Sequence, residues 1–219
     1  MTPRTRLAHV EPPTITTSDT SPNARARHNR AVLRVDEPIE TERLRLRRFA
    51  REDLDGLAAI QARPEVARFL YWEAREREEV EQALAKFIAE EEIAGEDDES
   101  ISLAVERREG GDLLGWVSIW LRSRQHRQVE IGFVFNPDAQ GQGYATEAAC
   151  ELLVLGFERL GAHRVYGRTD ARNEPSAALM GRLGMREEAH FRQAEIFKGE
   201  WGDELVFAIL EDEWRLSRT

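Results

Sequence analysis

Gln140, Gly141, Gln142, Gly143, Tyr144 and Ala145 set two glycines and two side-chain amides between an apolar run and a helical pattern. Bare backbone ahead of a helix can seat an anion, because the first N–H groups of a helix lack partners and its dipole is positive there. A side chain at position 141 or 143 would hold a phosphate away from those N–H groups. Two stricter phosphate motifs do not fit. A dinucleotide fingerprint needs a third glycine where Thr146 stands, and a P-loop needs a Gly-Lys-Ser/Thr ending. The stretch is either an anion seat at a helix start or a glycine-rich turn with no ligand.

The elements that must position this turn can be read from hydrophobic period. Residues 41–47 alternate leucine with arginine, as in a half-buried strand with a basic face. Residues 51–60 carry a helical pattern, and Pro64 restarts the chain. Val80, Leu84, Phe87 and Ile88 then recur at helical spacing within 75–93. The acidic run 95–99 reads as a solvated loop. Strand-like runs at 101–107, 113–121 and 128–135, with turn signals between them, predict an antiparallel meander. After the glycine turn come a helix over 143–160, a strand over 164–169 and a helix over 175–183. A short strand near Met185 and a last one over 204–210 close the order. The pattern predicts a mixed α/β domain over 38–219, a mainly antiparallel sheet flanked by helices. Residues 1–37 lack either period and are expected to form a disordered or loosely docked tail.

Composition narrows the function classes. The 31 Lys and Arg face 41 Asp and Glu, a net charge of −10, which does not suit a general binder of nucleic-acid phosphates. No apolar run approaches the ~20 residues of a membrane span, and no apolar segment follows the N-terminal arginines as in a secretory signal. A soluble cytoplasmic protein is expected, with no membrane partner. Cys150 is the single cysteine and cannot form an internal disulfide; within Ala-rich helical sequence it reads as core. His126, His163 and His190 have no metal-ligand spacing among themselves or with Cys150, so no metal is expected.

Three features in order carry a family resemblance. The strand 129–135 is followed by Gln140, Gly143 and Ala145 as Gln-x-x-Gly-x-Ala. Asn173, Glu174, Pro175 and Ser176 then precede a helix ending at Leu183, Gly184 and Met185. Together these resemble the GNAT family of acetyl-CoA-dependent N-acetyltransferases. Residues 41–47, 198–201 and 213–214 look like its ribosomal-protein N-terminal acetyltransferase branch. The resemblance covers 39–216 and implies a GNAT-like fold in which strand 129–135 splays from strand 164–169, with acetyl-CoA in the cleft. It further implies that the backbone at Phe133, Val134 and Phe135 pairs with the pantetheine arm. The pyrophosphate would rest on the N–H groups of Gln140, Gly141, Gln142, Gly143, Tyr144 and Ala145. Asn173 would hydrogen-bond the arm, and Ser176 would sit near the sulfur. A homodimer is also implied, and the chain has tryptophans to spare for one.

Acetyl transfer from a thioester to an amine needs a neutral amine, a polarised carbonyl and a proton for the departing thiolate. Strand alternation puts Val129, Ile131, Phe133 and Phe135 on one face and Glu130, Gly132 and Val134 on the other. Glu130 is thus the candidate base, acting through a water; its competing role is a salt bridge to a neighbouring strand arginine such as Arg43, Arg45 or Arg47. Ser176 is the candidate acid, or a first-turn polar residue with no catalytic role. Tyr144 is expected to pack rather than ionise. Trp72, Trp116, Trp120 and Trp201 are candidates for an acceptor-pocket wall, with core packing or subunit contact as the alternative. The acceptor loops are expected at 69–77 and 189–199. The acidic helix over 75–92 could draw in cationic amines. The predicted activity is direct acetyl transfer to a primary amine, a protein N-terminus or a small amine such as an antibiotic or polyamine, through a ternary complex. The alternative is a non-catalytic acyl-CoA-sensing or partner-binding module.

Overall fold

A computed structural model describes residues 32–218. Two short strands, β1 (Leu33–Arg34) and β2 (Ile39–Glu40), lead into β3 (Leu44–Arg48). Then come α1 (Leu54–Gln61), α2 (Pro64–Ala67), α3 (Arg77–Ala89) and β4 (Glu92–Ile93). The meander follows as β5 (Glu99–Arg107), β6 (Leu113–Ser123) and β7 (Gln128–Phe135). After it lie α4 (Tyr144–Val154), β8 (Arg164–Asp170) and α5 (Glu174–Arg182). A hairpin of β9 (Arg186–Phe197) and β10 (Glu200–Leu210) and a last helix, α6 (Glu211–Ser217), complete the order.

Eight strands form one sheet in the order β2-β3-β5-β6-β7-β8-β10-β9. Every pairing in it is antiparallel except β7 with β8. That parallel pair runs for only three steps, Gln128 with Arg164, Val129 with Val165 and Glu130 with Tyr166, and then stops. Both strands continue beyond it, so the sheet splays at its centre. This is the geometry the resemblance implied.

The two faces of the sheet bury different helices, as the period-two side-chain alternation requires. Leu103, Val105, Val117, Ile119, Val129 and Ile131 pack with Ala148, Ala149 and Leu152 of α4. Ala104 and Trp116 face the other way, against Leu57 and Ile60 of α1 and Val80 and Leu84 of α3. Fully burying each Leu or Ile contributes ~1.5–3 kcal/mol, so each helix is fixed chiefly by its apolar stripe.

Several boundaries differ from the expected ones. Ordered chain begins before residue 38: Leu33 pairs with Ile93, and Leu33 and Val35 are buried in the main core, so they belong to the domain. The rest of the expected tail, 1–31, lies outside the described residues. The short strand expected near Met185 is the twelve-residue β9, so 189–199 is mostly strand rather than an acceptor loop. Its pattern is exposed nearly throughout and carries no alternation that would mark it in the sequence. Cys150 is exposed, because Ala148 and Ala149 take the buried positions of α4 and the next residue rotates outward. The acidic run is structured: Glu99 accepts the Gly95 and Glu96 N–H groups, each at 2.9 Å, and Asp98 pairs with Arg122 at 2.9 Å.

Candidate active site

The glycine turn takes its shape from backbone only glycine adopts easily. Gly141 has φ 75° and Gly143 φ 81°, both left-handed. A Cβ built on Gly141 meets nothing within 4 Å, so its front is open. Arg43 holds the turn from behind. Its Nη1 donates to the Gln142 carbonyl at 2.8 Å, its Nε donates to Glu147 at 2.7 Å, and its guanidinium lies 4.8 Å from the centre of the Tyr144 ring. Because the peptide is trans, drawing the Gln142 carbonyl back aims the Gly143 N–H the opposite way. The N–H groups of Gly141, Gln142, Gly143, Tyr144 and Ala145 have no acceptor among the described residues. Gln140 departs from the expectation: its N–H already donates to the Pro137 carbonyl at 3.1 Å, closing the turn over Pro137–Ala139. Tyr144 is buried and packs in the core.

The splay opens two hollows that run into each other. One, of about 530 Å³, is lined by Phe133, Phe135, Gln140, Gly141, Gly143 and Ala145, with Arg182 at its rim. The other, of about 740 Å³, lies toward α3 and is walled by Trp72, Trp116 and Trp120. Phe133, Val134, Asn173 and Ser176 line both. Beyond Glu130, β7 has no strand beside it on the β8 side, so its backbone at Phe133 to Phe135 offers a free edge to the cleft. Trp201, by contrast, is exposed and lines neither hollow.

Asn173 is the N-cap of α5, its Oδ1 accepting the Ser176 N–H at 3.3 Å. Capping uses the amide oxygen, which leaves the amide's two N–H groups for a ligand. Ser176 sits in the first turn of the same helix and borders both hollows.

Glu130 is buried at the splay point, and both of its carboxylate oxygens are taken. Arg122 Nε donates at 2.7 Å and Arg168 Nε at 3.1 Å. The ion pair anticipated for Glu130 therefore exists, with different partners. Arg43 binds Glu147, Arg45 binds Glu40 and Glu106, and Arg47 binds Asp53 and Glu106. The alternation rule cannot name Arg168, since only the parallel β7–β8 pairing brings it to Glu130.

Acidic groups outnumber basic ones around the larger hollow: Glu79, Glu90, Glu130, Asp170, Glu195, Asp203 and Glu204 against Arg75, Lys86, Arg122 and Arg168. Tyr71 donates to Glu195 at 2.6 Å, and burial together with that bond pushes its phenol up to about 12, so it stays a donor at neutral pH. Lys198, in the turn between β9 and β10, donates to the Ala67 and Trp72 carbonyls and to Glu73, each at 3.0 Å. It thereby ties the loop bearing Trp72 to the far end of the sheet. Sequence reasoning noted Lys198 only within the 198–201 resemblance and did not anticipate this tie, since its partners are remote in the chain.

Residues 43–186 match the acetyltransferase (GNAT) domain family, and the chain belongs to this family of N-acetyltransferases. GNAT enzymes use acetyl-CoA as acetyl donor. The uncharacterized N-acetyltransferase YoaA of Bacillus subtilis is 28% identical over 173 residues, 79% of this chain and 96% of YoaA. YnaD of the same organism, also an uncharacterized N-acetyltransferase, is 40% identical over 102 residues; that match spans 47% of this chain and only 59% of YnaD. A GNAT-family acetyltransferase of Bacillus anthracis superposes with a TM-score of 0.71 at 28% identity, covering 80% of this chain and 99% of that one.

Proposed function

We propose that the protein transfers the acetyl group of acetyl-CoA directly to a primary amine, with both substrates bound at once. The observation that carries this reading is the junction of two hollows at Phe133, Val134, Asn173 and Ser176. One hollow suits the donor: a free strand edge for the amides of a pantetheine arm, then five unpaired N–H groups at a helix start for a pyrophosphate. The other suits an amine that arrives as a cation, with aromatic walls and an excess of carboxylates. Holding the thioester and the amine together at the junction can supply ~7 kcal/mol or more of effective concentration, so no covalent enzyme intermediate is needed.

In this reading the Gly141, Gln142, Gly143, Tyr144 and Ala145 N–H groups bind the pyrophosphate, and the Asn173 amide bonds the arm. The Ser176 hydroxyl donates to the departing thiolate. Glu130 holds Arg122 and Arg168 in place beside the amine, since its oxygens are engaged by both. The acceptor class is a small cationic amine or a protein N-terminus, the latter in keeping with the ribosomal-protein branch. Exposed Phe191, Ile196 and Trp201 on the last hairpin supply an apolar surface for a homodimer, which sedimentation would detect as a doubled mass.

The test is thiol release from acetyl-CoA against a panel of polyamines, amine-bearing antibiotics and peptides with free N-termini. The acetylated product is then identified by mass spectrometry. Acceptor-dependent release of CoA is expected from at least one class. Tight acetyl-CoA binding without release from any of them would favour the acyl-CoA-sensing alternative.

A further inference from the structure

Glu90 lies just past the C-terminus of α3, half-buried at the wall of the larger hollow. The Ser100 hydroxyl donates to its Oε1 at 3.2 Å, while its Oε2 is buried with no hydrogen-bond partner among the described residues. A carboxyl oxygen left unpaired away from water is costly and is retained only against some gain.

The sheet beneath Glu90 supplies a route to the splay point. Cross-strand register places Ser102 opposite Ser118 and Ser118 opposite Gly132, in one row across β5, β6 and β7. Ser102 and Ser118 are both buried, and their hydroxyls bond each other at 2.9 Å with either atom able to donate. These are polar residues in the middle of apolar strands, where Val or Ile would pack better. The Ser102 hydroxyl and backbone lie near enough to the Glu90 carboxyl to favour its charged form, while the hydroxyl itself bonds Ser118 and makes no hydrogen bond to Oε2. At the far end Gly132 has no side chain, and a Cβ there would come within 3.0 Å of the Trp120 ring. Ser118, Gly132, Phe133 and Ser176 all border the same hollow as Glu90.

We propose that Glu90 is the terminal proton acceptor for the incoming amine, reached through Ser118 and Ser102. This rests on the acetyl-transfer reading above. The ammonium gives one proton to Ser118 Oγ, Ser118 passes its own to Ser102, and Ser102, after a side-chain rotation that brings its hydroxyl to the unpartnered oxygen, passes its own to Glu90 Oε2. The neutral nitrogen forms a C–N bond at the thioester carbonyl, the C–S bond breaks, and its electron pair stays on sulfur. The second nitrogen proton replaces the one that Ser176 gives to the sulfur, so the products are amide, CoA thiol and protonated Glu90. Glu90 returns its proton to water when the products leave. Two hydroxyls that can each donate and accept are the minimum such a path needs.

Burial pushes the Glu90 carboxyl above its ordinary value, with the Ser102 and Ser100 hydroxyls and the Ser102 backbone offsetting part of that. An acceptor for protons at neutral pH gains from such a shift. The charged groups on the elements around it include Glu79, Lys86, Glu91 and Glu92 on or after α3, Arg48 on β3, Glu99, Glu106 and Arg107 on β5, Arg122 on β6 and Glu130 on β7, with Arg75 across the hollow. None of them forms an ion pair with Glu90 among the described residues.

The experiment measures kcat/KM against pH for the wild type, E90Q, S118A and E130Q. Spermine and a seryl tripeptide amide serve as acceptors, and the acetyl-CoA Kd of each variant reports on folding. E90Q and S118A are expected to lower kcat at least tenfold at pH 7 and to remove the acid limb of the wild-type profile, with Kd within twofold. E130Q is expected to lower kcat yet keep that limb. An E90Q enzyme that keeps both kcat and the limb overturns the relay while acetyl transfer stands. So does a loss of the limb in E130Q alone, which would make Glu130 the base. A rise in KM alone would make Glu90 an ammonium-binding group and also overturn the relay. A wild type that acetylates neither probe nor any amine of the panel overturns the transfer reading and the relay with it.

Discussion

Replacing Gly141 by alanine separates the turn's ligand role from its structural one. The backbone at 141 is left-handed with φ 75°, so any L-residue there carries strain of ~1–2 kcal/mol. No steric clash adds to this, because the new Cβ meets nothing within 4 Å. In a protein of this size that strain lowers Tm by roughly 2–8 °C. The cost to binding should be larger. A methyl standing ~1.5 Å off the backbone displaces a pyrophosphate oxygen from the Gly141 and Gln142 N–H groups. Each charge-assisted bond contributes ~1.5–3 kcal/mol, so losing two removes ~3 kcal/mol or more, about a hundredfold in Kd. Calorimetry with acetyl-CoA and with S-acetylpantetheine, which lacks the pyrophosphate, reads the difference directly. Gly141→Ala is expected to weaken the first ligand about a hundredfold and leave the second within about threefold. Equal losses for both ligands, or no loss for acetyl-CoA, would refute the assignment of these N–H groups to the pyrophosphate.

Other perturbations address the frame around the site. Asp53 is buried and accepts Arg47 at 2.8 and 2.7 Å and the Ala50 N–H at 2.8 Å. Removing one partner of such a pair costs ~3–5 kcal/mol, so Asp53→Ala should shift the urea midpoint markedly downward. Lys198→Met unties three acceptors on the loop that carries Trp72. Its amine KM should rise several-fold while acetyl-CoA affinity stays put, as initial-rate kinetics would show. The stability of E90Q should depend on pH in a set direction. The Glu90 carboxyl ionises above its ordinary value when folded, so protonation favours the fold. That contribution is full below the unfolded value of about 4.3 and is lost as pH rises through the folded one. A neutral amide escapes the loss. The Tm advantage of E90Q over wild type should therefore be small at pH 4 and grow toward pH 8. It should reach roughly 2–4 °C if the unpaired oxygen costs about 1 kcal/mol after solvent screening.

The fold was legible where side chains repeat with a period and turns have demanding chemistry. The leucine and arginine alternation at β3 reads correctly because one face is buried against α4 and the other carries ion pairs. The meander reads correctly because its strands are apolar and its connections are marked by glycine and charge. The β9 strand could not be read this way: it is an edge strand, exposed on nearly every residue, and its order comes from pairing with β10. Leu33 and Val35 were hidden for the opposite reason. Two buried residues are too few to show a period, and the pairing partner of Leu33, Ile93, lies sixty residues on.

The site divides along the same line, and the division bears on how it works. The turn proposed for the donor is a contiguous stretch whose left-handed glycines are needed locally, so its backbone form was legible in the sequence. The acceptor side is assembled from residues on different elements: Glu90 after α3, Ser102 and Ser118 on neighbouring strands, Arg122 and Arg168 on either side of Glu130. The register of the sheet and the packing of α3 on it bring them together. What makes the assembly useful is the brevity of the β7–β8 pairing. Were it to continue past Glu130 and Tyr166, β8 would occupy the free edge of β7, and the two hollows would be sealed from each other. The three paired steps hold the strands close enough for Arg168 to reach Glu130, and beyond their end Phe133, Asn173 and Ser176 line both hollows, where the proposed reading brings donor and acceptor together. In the proposed reading, catalytic geometry thus depends on where a parallel ladder stops. Glu130 at that stopping point, clamped by arginines from both flanking strands, is placed to hold the splay at a fixed width.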